Sequence, residues 1–303
     1  MKKSWLCSLF GAALALWPGH ALGDGIVVVK SQSSAPINLA LEGFRGACRA
    51  AGPEFDMRAK MDRKQELLDT IRQAKPDIVV ALGPQAADAA RDATGVPMLF
   101  VMVLNPNKRG LEGPNIAGIP LNIPVFMQFT NYTNVVHNLR KLGVIYDETK
   151  TGDLINEAKV EAGKIGIELV AIPVSSQKAV AEALKTLVAQ KIDALWLVSD
   201  ETVVTPTSFS FLQKETSRSK VPLLAASEIF VSQGALASVS VDYKDIGRQA
   251  GEIVNQILKD RQQLAQLKTI APAKLNLAVN LETAQLLGAA VNQEAVKSAF
   301  KRY

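Results

Sequence analysis

From Gly25 onward the chain alternates short apolar runs with longer segments whose apolar residues recur every three or four positions. Short apolar runs suit strands buried on both faces, and the helical period suits helices that lay one stripe on a sheet. The alternation therefore restricts the fold to βαβ units around parallel sheets. Gly25 to Lys30, Phe55 to Lys60, Asp77 to Leu82 and Pro97 to Val103 read as the strands of a first lobe, with helices over 37–51, 62–74 and 84–93 between them. Ile37, Leu41, Phe44, Cys48 and Ala51 share one helical face, so Cys48 reads as a small core residue. A Gly-, Pro- and Asn-rich passage from Leu104 to Asn122 reads as a ligand-facing loop that also carries the chain between lobes.

After a helix over 126–142 that holds His137, the alternation restarts. Leu142 to Tyr146, Glu168 to Val174, Ala194 to Val198 and Pro222 to Ala225 read as strands of a second lobe, with helices beginning near Thr151, Gln177 and Thr205. Ala237 to Asp242 is a further strand. Tyr243, Ile246, Ala250, Ile253 and Ile257 then place one apolar stripe on a long helix, and a strand over 275–279 and a helix over 282–287 close the chain. The expectation is an α/β fold of two Rossmann-like lobes with parallel sheets. Open parallel sheets bind ligands beyond the carboxyl ends of their strands, so the crevice between the lobes is the expected ligand site.

Composition narrows the functional class. With 303 residues, 48% of them hydrophobic and 21% charged, the chain is a folded protein long enough for two cores. Residues 1–23 read as a cleaved secretory signal peptide: Lys2 and Lys3 precede an apolar stretch from Trp5 to Leu16 that is too short to span a bilayer, and Ala21-Leu22-Gly23 offers small residues at the cleavage spacing. Its removal takes away two lysines and no acidic residue, leaving a net charge of +3 in place of +5. The basic residues are scattered, which argues against a nucleic-acid surface. Of two cysteines, Cys7 leaves with the leader and Cys48 remains, so no internal disulfide can form, and export without cysteines fits a bacterial periplasm.

Catalytic signatures are sparse. One histidine, His137, follows the leader, too few for a zinc site built from His and Cys, and G-x-S-x-G, P-loop and G-x-G-x-x-G motifs are absent. No cofactor and no metal are expected. What remains are polar loops after strands. Ser31, Gln32 and Ser33 follow the first strand, and Gly83, Pro84 and Gln85 the third. Both present hydroxyls or backbone N–H groups at helix starts that favour a ligand carboxylate, or else simply cap those helices. Across the crevice Tyr146 and Asp147, Asp200 and Glu201, and Ser227 and Glu228 stand at three strand ends. Their carboxylates suit a ligand ammonium, or serve as helix N-terminal charge. Trp196 lies inside a strand and reads as core.

Several ordered stretches carry a family resemblance over nearly the whole chain after the leader. They are Gly43-Phe44, the run from Ile78 to Ala87 (Ile-Val-Val-Ala-Leu-Gly-Pro-Gln-Ala-Ala), Ala93-Thr94 with Val96-Pro97, Asn115-Ile-Ala-Gly118, Leu142 to Tyr146, Gly234 to Ser238 through Asp242-Tyr243 to Gly247-Arg-Gln-Ala250, and Asn280 to Gly288. The chain resembles periplasmic binding proteins of the type I class. More narrowly, it is similar to the substrate-binding proteins of an ABC-transporter family whose better understood members are linked to aromatic amino acids. The resemblance implies three interlobe crossings that form a hinge of three strands, with residues 24–120 and 242–264 in the first lobe and 121–241 and 265–303 in the second. Where relatives often carry Asp-Pro this chain has Asn105-Pro106, and their Asn-x-Thr-Gly is Asn115-Ile-Ala-Gly118 here. Asn105 is thus a further cleft candidate, and the ligand is open to change.

The expected function is a monomeric, non-enzymatic receptor in the periplasm that closes on a small molecule, such as an amino acid, and delivers it to an ABC permease in the inner membrane. Two alternatives stay open: a ligand sensor that presents its closed form to a membrane receptor kinase, and an exported hydrolase in which Asp200 and Glu228 act as acid and base.

Overall fold

The computed structural model describes residues 25–260 and 268–303, and the signal peptide expected over 1–23 lies outside the described residues. The first sheet has the strand order β2-β1-β3-β4-β5 and is parallel throughout, with β1 Ile26–Lys30, β2 Glu54–Asp56, β3 Ile78–Leu82, β4 Met98–Val101 and β5 Ile116–Ile119. Helices α1 (Ala35–Ala47), α2 (Lys64–Ala74) and α3 (Pro84–Ala90) connect its strands. Every residue of β3 is buried, because α1 covers one face of the sheet and α2 and α3 the other.

The second sheet runs β12-β11-β10-β9-β8-β6-β7. Its strands are β6 Lys141–Tyr146, β7 Glu168–Pro173, β8 Ala194–Leu197, β9 Leu223–Ala225, β10 Ala237–Val241, β11 Leu275–Val279 and β12 Lys301–Arg302. The pairs are parallel except β10 with β11, so the expectation of wholly parallel sheets is corrected at that one step. Helices α4 (Val125–Val135), α5 (Glu148–Lys164), α10 (Leu281–Leu287) and α11 (Gln293–Ser298) pack on one face. Helices α6 (Val180–Ala189), α7 (Pro206–Arg218) and α8 (Glu228–Ser232) pack on the other.

The chain passes from β5 to α4 and thus from the first sheet to the second. From β10 it returns as α9 (Tyr243–Lys259), which packs along α1 on the first sheet, and then rejoins the second sheet as β11. The two-lobe α/β fold expected from the alternation is the fold observed. Several bounds differ. The passage from Leu104 to Asn122 contains β5, which the alternation did not reveal. The segment from Phe55 to Lys60 is a strand only as far as Asp56, because Arg58 and Ala59 adopt left-handed backbone. Helix α4 stops at Val135, so His137 lies beyond it, with its backbone N–H on the Ala290 carbonyl. Among the described residues no helix is long and apolar enough to cross a membrane.

Candidate functional site

The carboxyl ends of β4, β5, β8, β9 and β10 converge on a cleft of about 640 Å³ between the two sheets. This is the size and place expected of a small-molecule site in an open α/β fold. The first lobe contributes Leu104, Asn105, Pro106, Asn107 and Lys108 after β4. The segment 120–124 after β5 and Tyr243 at the head of α9 border the crossings between lobes. The second lobe contributes a wall from α5, where Lys150, Asp153, Leu154 and Glu157 fall at the spacing of one helical face, and the strand-end residues Val198, Ser199, Ala226 and Ser240.

Polarity is graded from mouth to floor. Lys108, Lys150, Asp153 and Glu157 are exposed, whereas Trp196 is 1% and Gln128 7% exposed although both line the cleft. The Trp196 ring meets Phe129 edge-on at 4.9 Å and 76°, and its indole N–H donates to Gln128 Oε1 at 3.3 Å. Gln128 Nε2 donates to the Ile123 carbonyl at 2.8 Å, tying the floor to the first crossing. Two asparagines brace the rim: Asn105 N–H donates to Asn122 Oδ1 at 2.8 Å, and Asn122 Nδ2 to Asn105 Oδ1 at 2.7 Å. Asn105 has φ +49°, a left-handed conformation that asparagine tolerates well. Lys108 Nζ reaches the Lys150 carbonyl at 2.9 Å, from first lobe to second. Burial, reinforced by the charge of Glu228, pushes the half-buried Tyr243 phenol above its ordinary pKa, so it is a neutral donor and acceptor at neutral pH.

Of the residues expected from sequence to hold a ligand, the structure places Asn105 on the cleft lining and the others outside it. Ser31 is buried, and its Oγ accepts from Ala86 N–H at 3.0 Å, satisfying a donor in the first turn of α3. Gly83, at φ +91°, packs so closely that an added Cβ would lie 2.7 Å from that hydroxyl. Pro84 and Gln85 open α3 half-buried, away from the cleft lining, and Gln32 is exposed. Ser33 donates to Asp56 Oδ2 at 3.2 Å. Tyr146 is buried.

The acidic strand ends are likewise engaged within the protein. Asp200 Oδ2 accepts from Asp147 N–H at 2.8 Å and from the Thr151 hydroxyl at 2.6 Å, while Oδ1 accepts from Thr202 N–H at 2.9 Å. The Asp147 carboxylate accepts from the hydroxyls of Thr202 and Thr149 at 2.7 Å each and from Thr149 N–H. Those bonds hold it below the usual carboxylate range. Glu201 is exposed. Ser227 stands half-buried before α8, and Glu228 accepts from Lys301 Nζ at 2.7 Å and the Tyr303 hydroxyl at 2.6 Å, the former doing most to depress its pKa. Asp200 and Glu228, expected to pair with a ligand ammonium or to act as acid and base, are thus bonded within the protein and lie outside the cleft lining. Among the described residues no group of three or more His, Cys, Asp or Glu side chains is placed to hold a metal ion.

Lys108 and Asn122 belong to the passage expected to face the ligand, although neither was singled out; Gln128 and the α5 wall were missed, and Trp196 read as core alone. One signal was available: Gln128 interrupts the buried stripe Val125, Phe129, Tyr132 and Val135 of α4, and a polar residue in such a stripe must answer to a polar partner.

The sequence pattern of the family described as ABC transporter substrate binding protein matches residues 41–303. A tyrosine-binding protein of Clostridioides difficile (strain R20291) is 28% identical over 210 residues, 66% of this chain and 60% of the relative, so the match spans less than two thirds of that protein's length. Among solved structures, the ligand-free, open form of a substrate binding protein with adhesive properties from Clostridium difficile is 21% identical, covers 88% of this chain and 95% of its own, and has a TM-score of 0.73. An ABC domain from Streptococcus pneumoniae in complex with L-Trp is 21% identical over 92% of this chain and all of its own, with a TM-score of 0.59. The match to these structures is one of fold, a two-lobe type I periplasmic binding fold. The family is one of binding proteins, not enzymes, and the chain, matched by its pattern from Leu41 to Tyr303, belongs to the ABC transporter substrate binding protein family.

Proposed function

We propose that this chain is the solute receptor of an ABC importer, exported to the periplasm by the leader over 1–23, working as a monomer, and handing an aromatic amino acid to an inner-membrane permease. The observation that carries the reading is the graded cleft. Exposed Lys108, Lys150, Asp153 and Glu157 at its mouth offer both charges of an amino-acid zwitterion a partner, while Trp196, Val198, Val241 and Ile123 below offer apolar surface for a side chain. The named ligands of the relatives, tyrosine for one and L-Trp for another, make aromatic amino acids the first compounds to test. Residues 24–120 with 242–264, and 121–241 with 265–303, then move as two lobes about the three crossings, and the bound form is the one the permease selects.

The test is a thermal-shift screen of amino acids on the protein without its leader. A ligand at a hundred times its dissociation constant stabilises by about 2.7 kcal/mol, enough to raise the melting temperature by a few degrees. Ser199, exposed at the end of β8 and lining the cleft, supplies the control. Ser199→Trp is expected to leave the ligand-free melting temperature unchanged and to abolish the shift. A full shift in that variant moves the site out of the cleft.

A further inference from the structure

The floor of the cleft contains a polar group whose orientation is fixed by its partners. A Trp indole nitrogen only donates and a backbone carbonyl only accepts, so Trp196 N–H requires the oxygen of the Gln128 amide and the Ile123 carbonyl requires its nitrogen. The two bonds forbid the flipped amide, which would set donor against donor and acceptor against acceptor. They use one of the two N–H groups on Nε2 and one of the two lone pairs on Oε1. Among the described residues, neither the second N–H nor the second lone pair has a protein partner. Gln128 is 7% exposed and lines the cleft, so whatever these sites meet sits at its deep end.

The charge distribution says which end of a guest that is. Burying a zwitterion against Trp196, Val198 and Ile123 carries a large desolvation penalty, whereas the mouth supplies charges of both signs in contact with water. The charged groups of an amino acid therefore stay at the mouth and its side chain points down. We infer that Gln128 reads the tip of the ligand side chain and selects a tip that carries a hydroxyl, accepting a hydrogen bond from Nε2 and donating one to Oε1. A phenol does both through one oxygen. A phenyl ring leaves both sites of the amide dry and unpaired, and sites built around a hydrogen bond reject the analogue that lacks it. This deepens the proposed receptor function and rests on the cleft being the ligand site.

The experiment is calorimetric titration of L-tyrosine and L-phenylalanine into wild-type protein and into Gln128→Met, which keeps the side-chain length and removes both hydrogen-bonding ends. Wild type is expected to bind tyrosine at least about tenfold more tightly than phenylalanine, since a single well-placed hydrogen bond is already worth roughly that factor and the phenol makes two, and Gln128→Met is expected to bring the ratio close to one by weakening tyrosine alone. Equal affinities in wild type, or a tyrosine preference that survives in the variant, overturn the inference and leave the cleft reading standing. Heat from neither ligand in wild type overturns the aromatic amino-acid reading and the inference with it. Should Gln128→Met fail to fold, O-methyl-L-tyrosine titrated into wild type replaces it: without the hydroxyl proton it cannot donate to Gln128 Oε1 and is expected to bind several-fold more weakly than tyrosine, and affinity equal to that of tyrosine overturns the inference.

Discussion

Asp200 shows how a side chain at the expected place can have a different task. It is 2% exposed, and beyond the three bonds already described its Oδ1 takes a fourth, from Val203 N–H at 3.2 Å. It fastens the end of β8 to the start of α5 instead of facing a guest. Asp200→Ala strands the N–H groups of Asp147 and Thr202, whereas Val203 N–H keeps the carbonyl of residue 200 and the Thr151 hydroxyl that of Asp147. It is therefore expected to cost about 3 kcal/mol of folding stability in urea melts, and an unchanged midpoint contradicts this role. Its neighbour Asp147 gives a pH signature. Its pKa is lowered on folding, first by Thr202 and then by Thr149. The stability this contributes is fully present above the unfolded value of about 3.9 and is lost as pH falls through the lower folded value. Urea melts of wild type and Thr202→Val are expected to differ at pH 6 and to converge as the pH is lowered toward 2; a constant gap contradicts the assignment. Sequence located the strand ends correctly because βα periodicity fixes them. It could not assign the carboxylates there, since the residue types that cap helices are those that hold ligands, and only geometry shows where the lone pairs point.

Among the elements, β5 and the pairing of α1 with α9 decide how the lobes are built. Sequence hid β5 because Gly118 and its Pro- and Asn-rich surroundings read as loop. In the sheet Gly118 stands beside Phe100, where a Cβ would lie 2.3 Å from the ring, so glycine there admits an aromatic neighbour in a parallel register. The α9 stripe was legible, because Ile246, Ala250, Ile253 and Ile257 recur at helical spacing and all are buried. The closeness of its partner was not. An added Cβ at Gly247 would fall 1.8 Å from the Ala40 carbonyl oxygen of α1, and one at Gly43 would fall 1.9 Å from the Lys244 carbonyl oxygen of α9. Gly247→Ala must push the two backbones apart, so it is expected to cost about 1–3 kcal/mol by thermal or chemical unfolding. Gly46, exposed on α1 with nothing near its missing Cβ, provides the contrast. Gly46→Ala is expected to be neutral or to stabilise by up to about 1 kcal/mol through helix propensity. Equal effects at the two positions contradict the close seam.

In the whole molecule the two lobes meet along a cleft and are joined by three crossings. Near them, Lys274 pairs with Asp242 at 2.8 Å, and Gln249 holds the incoming segment through Ala271 and Ala273. Away from the crossings, Lys108 reaches across to the Lys150 carbonyl, showing that the loop after β4 already spans the mouth. A guest that touches both walls favours the arrangement in which they are closest, and it moves the balance only as far as its preference for that arrangement allows. The proposed receptor is a pair of lobes that shut on a guest they do not alter. It is tested by small-angle X-ray scattering of residues 24–303, alone and with saturating L-tyrosine, after calorimetry has established saturation. Closure is expected to give a smaller radius of gyration and a shorter maximum dimension with ligand bound. Superimposable curves from the free and saturated protein contradict it.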